Sequence, residues 1–370
     1  AFSGPEVKVD FGAFFSSPTL YSTYKAPGIV FNGETEDDRG TSYMPALAFM
    51  WGDKGSKSKF GISAFGISGF GVTFPEEANN PGSSSFNPTE PANPINFPQQ
   101  FGGFGLIESN YMLLQVGFTW AYAITDNFSF GLQPTFNYSA LELAPNPLAS
   151  PSQTKGYPTT DNASSYGYGG QAGLFYDSHK GIKLGVSYKS PQYFSEFEFK
   201  NTYLDGSEAP EVSFTMDYPA IYSAGIGYTN KLLDLALDYR YVDYESTEGF
   251  EASGWQIADE GQFAGFPTGA VNGFGWENMS VVSAGAQLKL INKLPLRFGY
   301  TYSDNPINEE LAFFSVPATA IIEHAFQFGF SYEFSRAFVF DAVYHYGTSD
   351  GRTTGQLMNP MMITADNPLG

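Results

Sequence analysis

Residues 324–334 read HAFQFGFSYEF, and the alternation in this stretch decides the fold. Phe326, Phe328, Phe330, Tyr332 and Phe334 fall on one face of an extended chain; Gln327, Gly329, Ser331 and Glu333 fall on the other. A strand points successive side chains to opposite faces, so the segment has one oily side and one wet side. The same pattern sets Phe128, Phe130, Leu132, Pro134, Phe136 and Tyr138 against Ser129, Gly131, Gln133, Thr135 and Asn137. Val282, Ala284, Ala286 and Leu288 likewise oppose Ser283, Gly285, Gln287 and Lys289. Such segments recur roughly a dozen times, with bulky aromatics on the apolar side, which predicts an all-β, transmembrane antiparallel β-barrel of the outer-membrane type.

Composition agrees. Aromatics make up 17 % of the 370 residues, yet the chain is only 42 % hydrophobic. No stretch approaches the ~18 apolar residues of a spanning helix, so a helical membrane protein is excluded. Cysteine is absent, which removes disulfides, thiolate metal sites and cysteine catalysis. A net charge of −20 speaks against nucleic acid as a partner. No linker divides the chain, so residues 1–370 are expected to form one barrel domain.

Thirteen strands are predicted, near 7–17, 42–51, 59–74, 111–124, 127–141, 166–176, 182–199, 218–228, 232–244, 276–290, 294–303, 324–334 and 337–346. Short turns between them carry Lys54, Lys57, Lys180, Lys231, Lys293 and Arg336, whereas the long loops hold much of the acid, including Glu34, Asp37, Asp38, Glu76 and Glu248. Barrels of this type keep short turns in the periplasm and long loops outside, so the sidedness is readable. Bacterial single-chain barrels close with an even number of strands. Residues 347–370, rich in Gly, Thr, Asn and Pro, contain no alternating strand, so a closing fourteenth strand is expected to lie outside this sequence.

Residues 296–332 read LRFGYTYSDNPINEELAFFSVPATAIIEHAFQFGFSY. The run from Gly299 to Ile307, and the apolar stretch from Pro317 to His324, resemble the late strands of the FadL/TodX family of outer-membrane transporters. Residues 184–191 (LGVSYKSP) resemble that family's middle strands. The resemblance implies a fourteen-stranded barrel that passes long-chain fatty acids or aromatic hydrocarbons. It also implies an N-terminal plug with an Asn-Pro-Ala-like motif. Here the first strand follows residues 1–6 directly, and Asn93-Pro94 and Asn359-Pro360 lie in loops. The plug is therefore expected to be lost, to lie outside this sequence or to be replaced by another chain, and plug-dependent residues do not carry over.

Three groups of residues are candidates for function. In the third strand Phe60, Ile62 and Ala64 are expected to share a face with Phe70, Val72 and Phe74, while Phe65 and Ile67 place bulk on the opposite one. Gly66, Ser68 and Gly69 complete this irregular stretch, and glycine inside a strand marks a bulge or bend. In the resembled family the third strand kinks inward and opens the wall sideways, so Phe65, Gly66, Ile67, Ser68 and Gly69 are the candidate lateral gate; otherwise the glycines merely fit a crowded wall. Apolar residues in the acidic loops form the second group: Phe97, Phe101, Phe104 and Leu106 in one, Phe313 and Phe314 in another. They either capture a hydrophobic solute or pack together as a lid. The third group faces the lumen. Asp234, Lys289, Arg297 and Glu333 are expected to form an ionic ladder near the periplasmic end. Lys189 and Arg240, with Asp238 beside the latter, lie higher and either meet an acid's carboxylate or pair within the wall.

No enzyme is indicated: His179, His324 and His345 show no nucleophile pairing and no metal spacing, and no cofactor is implied. The expected function is passive uptake of a fatty acid or other hydrophobic small molecule across a Gram-negative outer membrane, with outer-membrane lipid and lipopolysaccharide around the wall. The rival is a barrel of the same fold serving as a binding or scaffold subunit for a protein partner.

Overall fold

The computed structural model describes residues 5–251, 254–261, 264–335 and 337–358; Arg336, the Asn359-Pro360 pair and the rest of 359–370 lie outside them. Thirteen antiparallel strands follow one another in a single path: β1 (Glu6–Phe15), β2 (Thr41–Trp51), β3 (Ser58–Phe74), β4 (Ile107–Ala123), β5 (Phe128–Ala144), β6 (Ala163–Asp177), β7 (Ile182–Lys189), β8 (Ala220–Thr229), β9 (Leu233–Asp243), β10 (Met279–Leu288), β11 (Leu296–Ser303), β12 (His324–Ser335) and β13 (Phe338–Thr348). A two-residue segment, Tyr193–Phe194, pairs with β6 beside this path and brings the sheet to fourteen strands. The sheet curls until its ends approach. Lys8 of β1 acts electrostatically on Asp341 of β13. Arg352, just beyond β13, lies 3.7 Å from the ring centre of Tyr21 in the hairpin that follows β1.

Burial is inverted relative to a water-soluble protein. Phe136 on β5 is 58 % exposed, while its neighbours Thr135 and Asn137 are buried. Phe326 and Phe328 are exposed and Ser331 is buried, as the alternation predicts for a lipid-facing apolar side. Short turns join β2 to β3, β4 to β5, β6 to β7, β8 to β9, β10 to β11 and β12 to β13, so every long connection emerges at the other end.

Those long connections are structured. The segment expected as the first long loop is a hairpin, Thr19–Ala26 against Ile29–Glu36. Further small sheets pair Phe197–Thr202 with Glu208–Phe214 and Trp255–Ile257 with Pro267–Val271. The strand expected over 182–199 is broken. Wall pairing of β7 ends at Lys189 because Pro191 has no N–H to continue the ladder, and beyond it Phe197 and Phe199 turn into a buried cluster. Trp276, expected at the start of a wall strand, belongs to the same cluster.

Candidate functional site

β3 decides the site. It pairs with β4 along its whole length, but the register shifts by one residue between Gly66 and Ser68. An extra residue in one strand reverses the facing of everything beyond it. Below the bulge Phe60, Ile62 and Ala64 lie opposite Trp120, Phe118 and Val116 on the lipid side. Above it Phe70, Val72 and Phe74 lie opposite Tyr111, Ser109 and Ile107, which are buried. The shared face expected from the sequence is therefore overturned: the two triplets point to opposite sides of the wall. Phe65 faces the lumen opposite Gln115, Gly66 and Gly69 face outward, Ser68 faces inward, and Ile67 packs into the apolar cluster within the barrel.

The other edge of β3 tells more. Its ladder with β2 runs from the Trp51–Phe60 pair only as far as Ala46 and Phe65. Next along β2 stands Pro45, which has no N–H to donate. From Thr41 to Pro45, β2 remains paired with β1 but not with β3. Contact with β3 resumes at its top, where the Asp38 N–H donates to the Thr73 carbonyl at 2.8 Å and the Thr73 N–H to Asp37 Oδ1 at 2.6 Å. Between these points lies a slot in the wall. Beside its lower end is a cavity of about 320 Å³, lined by Met44, Pro45, Phe65 and Gly66 and bordered by the Lys8–Asp10 ion pair. A larger groove of about 640 Å³ runs along Leu237, Ala284, Ala286 and Phe298. It lies on the lipid-facing side of β9–β11, far from the slot, where bilayer chains are its natural occupant.

The lumen is divided by height. Its outer part is filled by loop segments packed on the wall: Phe194, Phe197, Phe199, Met216, Phe250 and Trp276 join Tyr111 and Leu113 of β4 and Leu141 and Leu143 of β5. The bulge hands Ile67 and Phe70 to this cap. Beneath it is a polar cluster. Lys189 Nζ donates to Gln115 Oε1 at 3.2 Å and lies 4.8 Å from the centre of the Tyr218 ring. Gln115 donates to Asn137 Oδ1 at 2.8 Å, and Asn137 to Gln192 Oε1 at 3.0 Å. Gln192 lies over Gly169, where a Cβ would come within 2.4 Å of its Nε2. Gln115 stands opposite Phe65, so this cluster is level with the slot. Among the described residues Lys189 has no carboxylate partner and is 91 % buried.

The remaining candidates separate. Phe104 packs on Phe313 (5.7 Å between ring centres), Phe313 on Phe314 (5.5 Å), and Phe97 is buried against Phe31 (5.2 Å). Phe101 and Leu106 are each 40 % exposed and stand outside these clusters. Asp238 lies over Gly225, and no ion pair joins it to Arg240 among the described residues. Near the periplasmic end Lys289 binds Asp234 at 2.7 Å and Gln287 links Asp234 to Arg297. Arg297 then pairs with Asp341 at 3.2 Å, not with Glu333 as expected. The shorter Asp341 carboxylate, also bonded by Ser331, lies across the neighbouring strand on the same face. Sequence reading missed Pro45, Gln115 and Gln192; only Pro45, a proline inside a strand, carried a local signal.

Within the cap, Asp217 accepts the Phe194 N–H at 2.8 Å. Burial pushes its carboxyl up to about 6, against the pull of that N–H and with Glu248 and Glu251 adding to the rise. A raised acid favours the folded state when protonated, so this contribution is complete below the ordinary carboxylate range and lost as pH climbs through about 6. Protection from hydrogen exchange across 190–217, measured against the intrinsic rate at each pH, is therefore expected to rise from pH 8 to pH 5. Asp217→Asn should flatten that profile; a profile unchanged by the substitution would assign it to other groups.

Residues 102–357 match a family model described as outer membrane protein transport protein (OMPP1/FadL/TodX). No curated protein matches the chain. Among solved structures, the toluene transporter TodX of P. putida is similar at 16 % identity over 91 % of this chain and 81 % of its own, with a TM-score of 0.60. The toluene transporter TbuX of Ralstonia pickettii matches at 18 % identity over 93 % of this chain and 87 % of its own, TM-score 0.57. A Pseudomonas aeruginosa FadL homologue matches at 12 % identity over 93 % and 82 %, TM-score 0.63.

Proposed function

Because this chain belongs to the OMPP1/FadL/TodX family of outer-membrane transport proteins, we propose that it carries hydrophobic small molecules inward and releases them sideways between β2 and β3. The observation that carries this reading is the slot above the Ala46–Phe65 pair, with a cavity at its foot. Backbone groups left unpaired toward hydrocarbon cost several kcal/mol each, so a wall of this kind stays open only where the opening is used or covered. The cavity, about 320 Å³, lies at the lower end of the range for small-molecule sites and suits one ring or a stretch of acyl chain. Similar solved structures include a toluene transporter and a monoaromatic hydrocarbon channel, which gives the solute class its aromatic member.

Lys189 extends the reading to amphipathic acids such as long-chain fatty acids. A buried ammonium whose only side-chain hydrogen bond among the described residues goes to a neutral amide is poised to accept a carboxylate. The packed aromatics of the loops around Phe104 and Phe313 form the lid a solute must part on entry.

The chain has no cysteine, so a thiol pair can be installed cleanly. Bridging Met44→Cys to Gly66→Cys with a bis-maleimide is expected to stop uptake of labelled toluene and oleate by cells carrying the full chain, whereas the unbridged double variant transports. Lys189→Gln is expected to slow oleate about ten-fold or more and leave toluene within about two-fold, since one lost charged hydrogen bond is worth roughly 1.5–3 kcal/mol. Full uptake after complete bridging would rule out lateral release and favour the scaffold reading.

A further inference from the structure

The outer end of the slot is crossed by one side chain. Arg39 stands in the short segment between the first hairpin and β2, beside the Asp37 and Asp38 contacts that re-join this segment to β3. Its guanidinium passes over β3 and donates from Nη2 to Asn110 Oδ1 on β4 at 2.9 Å. On the way it lies flat on Gly71: a Cβ there would come within 1.9 Å of Nη1 and 2.2 Å of Cζ. Gly71 is paired with Asn110, which by alternation shares the outward face of β4 with the exposed Met112. The guanidinium therefore lies across the outside of the wall, on the route that a solute leaving through the upper slot would take.

We propose that Arg39 is a removable bar over the side opening, and that its seat on Gly71 sets the largest solute able to leave. The inference rests on the lateral-release reading and deepens it by naming a residue that sorts solutes by size. Three features support a bar rather than a fixed strut. Among the described residues its only side-chain hydrogen bond is to a neutral amide, and no carboxylate lies within ion-pair distance of the guanidinium. Asp37 and Glu108 attract it from nearby. A planar guanidinium can rest on a strand this closely only where the side chain beneath is hydrogen, so Gly71 supplies the seat. The backbone that anchors the bar is held separately, by the Asp37 and Asp38 bonds to Thr73. Arg39 can thus swing aside without undoing the join between the hairpin and β3. It is not among the residues that line the cavity.

The test compares a one-ring with a three-ring hydrocarbon, toluene and phenanthrene, in cells whose outer membrane carries the full chain. Arg39→Ala removes the bar. Gly71→Ala keeps its charge but unseats it, and Asn110→Ala removes its anchor and serves if the Gly71 variant fails to assemble. Each is expected to raise phenanthrene uptake on the order of ten-fold while toluene changes by less than about two-fold, because steric discrimination between hydrophobic solutes is typically of that size. A merely structural role would move both solutes together. An unchanged phenanthrene-to-toluene ratio in assembled barrels would overturn the proposal. The Met44→Cys and Gly66→Cys bridge separates the two levels: if bridging stops both solutes and the ratio in the Arg39 variants does not move, lateral release stands and the bar falls. If bridging stops neither, both fall.

Discussion

Deleting Ile67 is expected to abolish uptake while the barrel still assembles. The residue is the extra member of the bulge, so its loss restores one continuous alternation along β3. Gly66 stays opposite Leu114 and Ser68 opposite Leu113, now as neighbouring pairs of an unbroken ladder. Phe60 and Ile62 remain toward lipid, and Phe70, Val72 and Phe74 remain inward. Val72 and Phe74 are almost completely buried, and Phe70 packs on the cap, so these contacts survive. The cap loses only Ile67, a cost of about 1.5–3 kcal/mol. The slot would lose its shape, since β3 would run straight past Pro45. Proteolysis should leave the deletion variant as intact as the native barrel. Normal uptake by an assembled deletion variant would show that the phase change is incidental.

The second large effect is expected in the cap. Phe197 and Phe199 are fully buried and their rings stack 5.8 Å apart. Truncating either to alanine should cost about 3–5 kcal/mol. Because they touch, the double variant is expected to cost less than the sum. Phe197→Ala with Phe199→Ala should detach the loops from the lumen and leave the wall, whose hydrogen-bonded ladders do not involve these side chains. The lower lumen is polar, so an uncapped barrel should conduct ions across a planar bilayer where the native protein is nearly silent. Equal conductance in the two would mean that these aromatics do not close the lumen.

The family match says what kind of protein this is, an outer-membrane transport protein, and the slot is the route we propose for release. Apart from the bridge, the variants probe different parts: the bulge at Ile67, closure at Phe197 and Phe199, charge at Lys189, aperture at Arg39.

Much of the wall was legible in the sequence. Period-two alternation is a property of single strands in contact with two solvents, so each segment announced itself without knowledge of its neighbours. The segments around Phe136 and Phe328 fell where alternation placed them, and sidedness followed from loop length and charge. The irregular stretch at Phe65 to Gly69 was visible too, but the way it resolves was not. Residues 60–74 carry apolar side chains in both phases, and only pairing with β4 decides that the bulge falls at Ile67 and sends Phe70 inward. The loops carried aromatics but no period, so their packing into a cap depended on contacts far apart in the chain, such as Phe104 with Phe313. Lys189 read as a wall cation on the polar face. That it is buried beside a glutamine 74 residues away, with no carboxylate partner among the described residues, follows from closure of the sheet. Alternation along a strand is set by the backbone alone; which strand's edge stays unpaired, and which charge faces it, are set by how the strands meet.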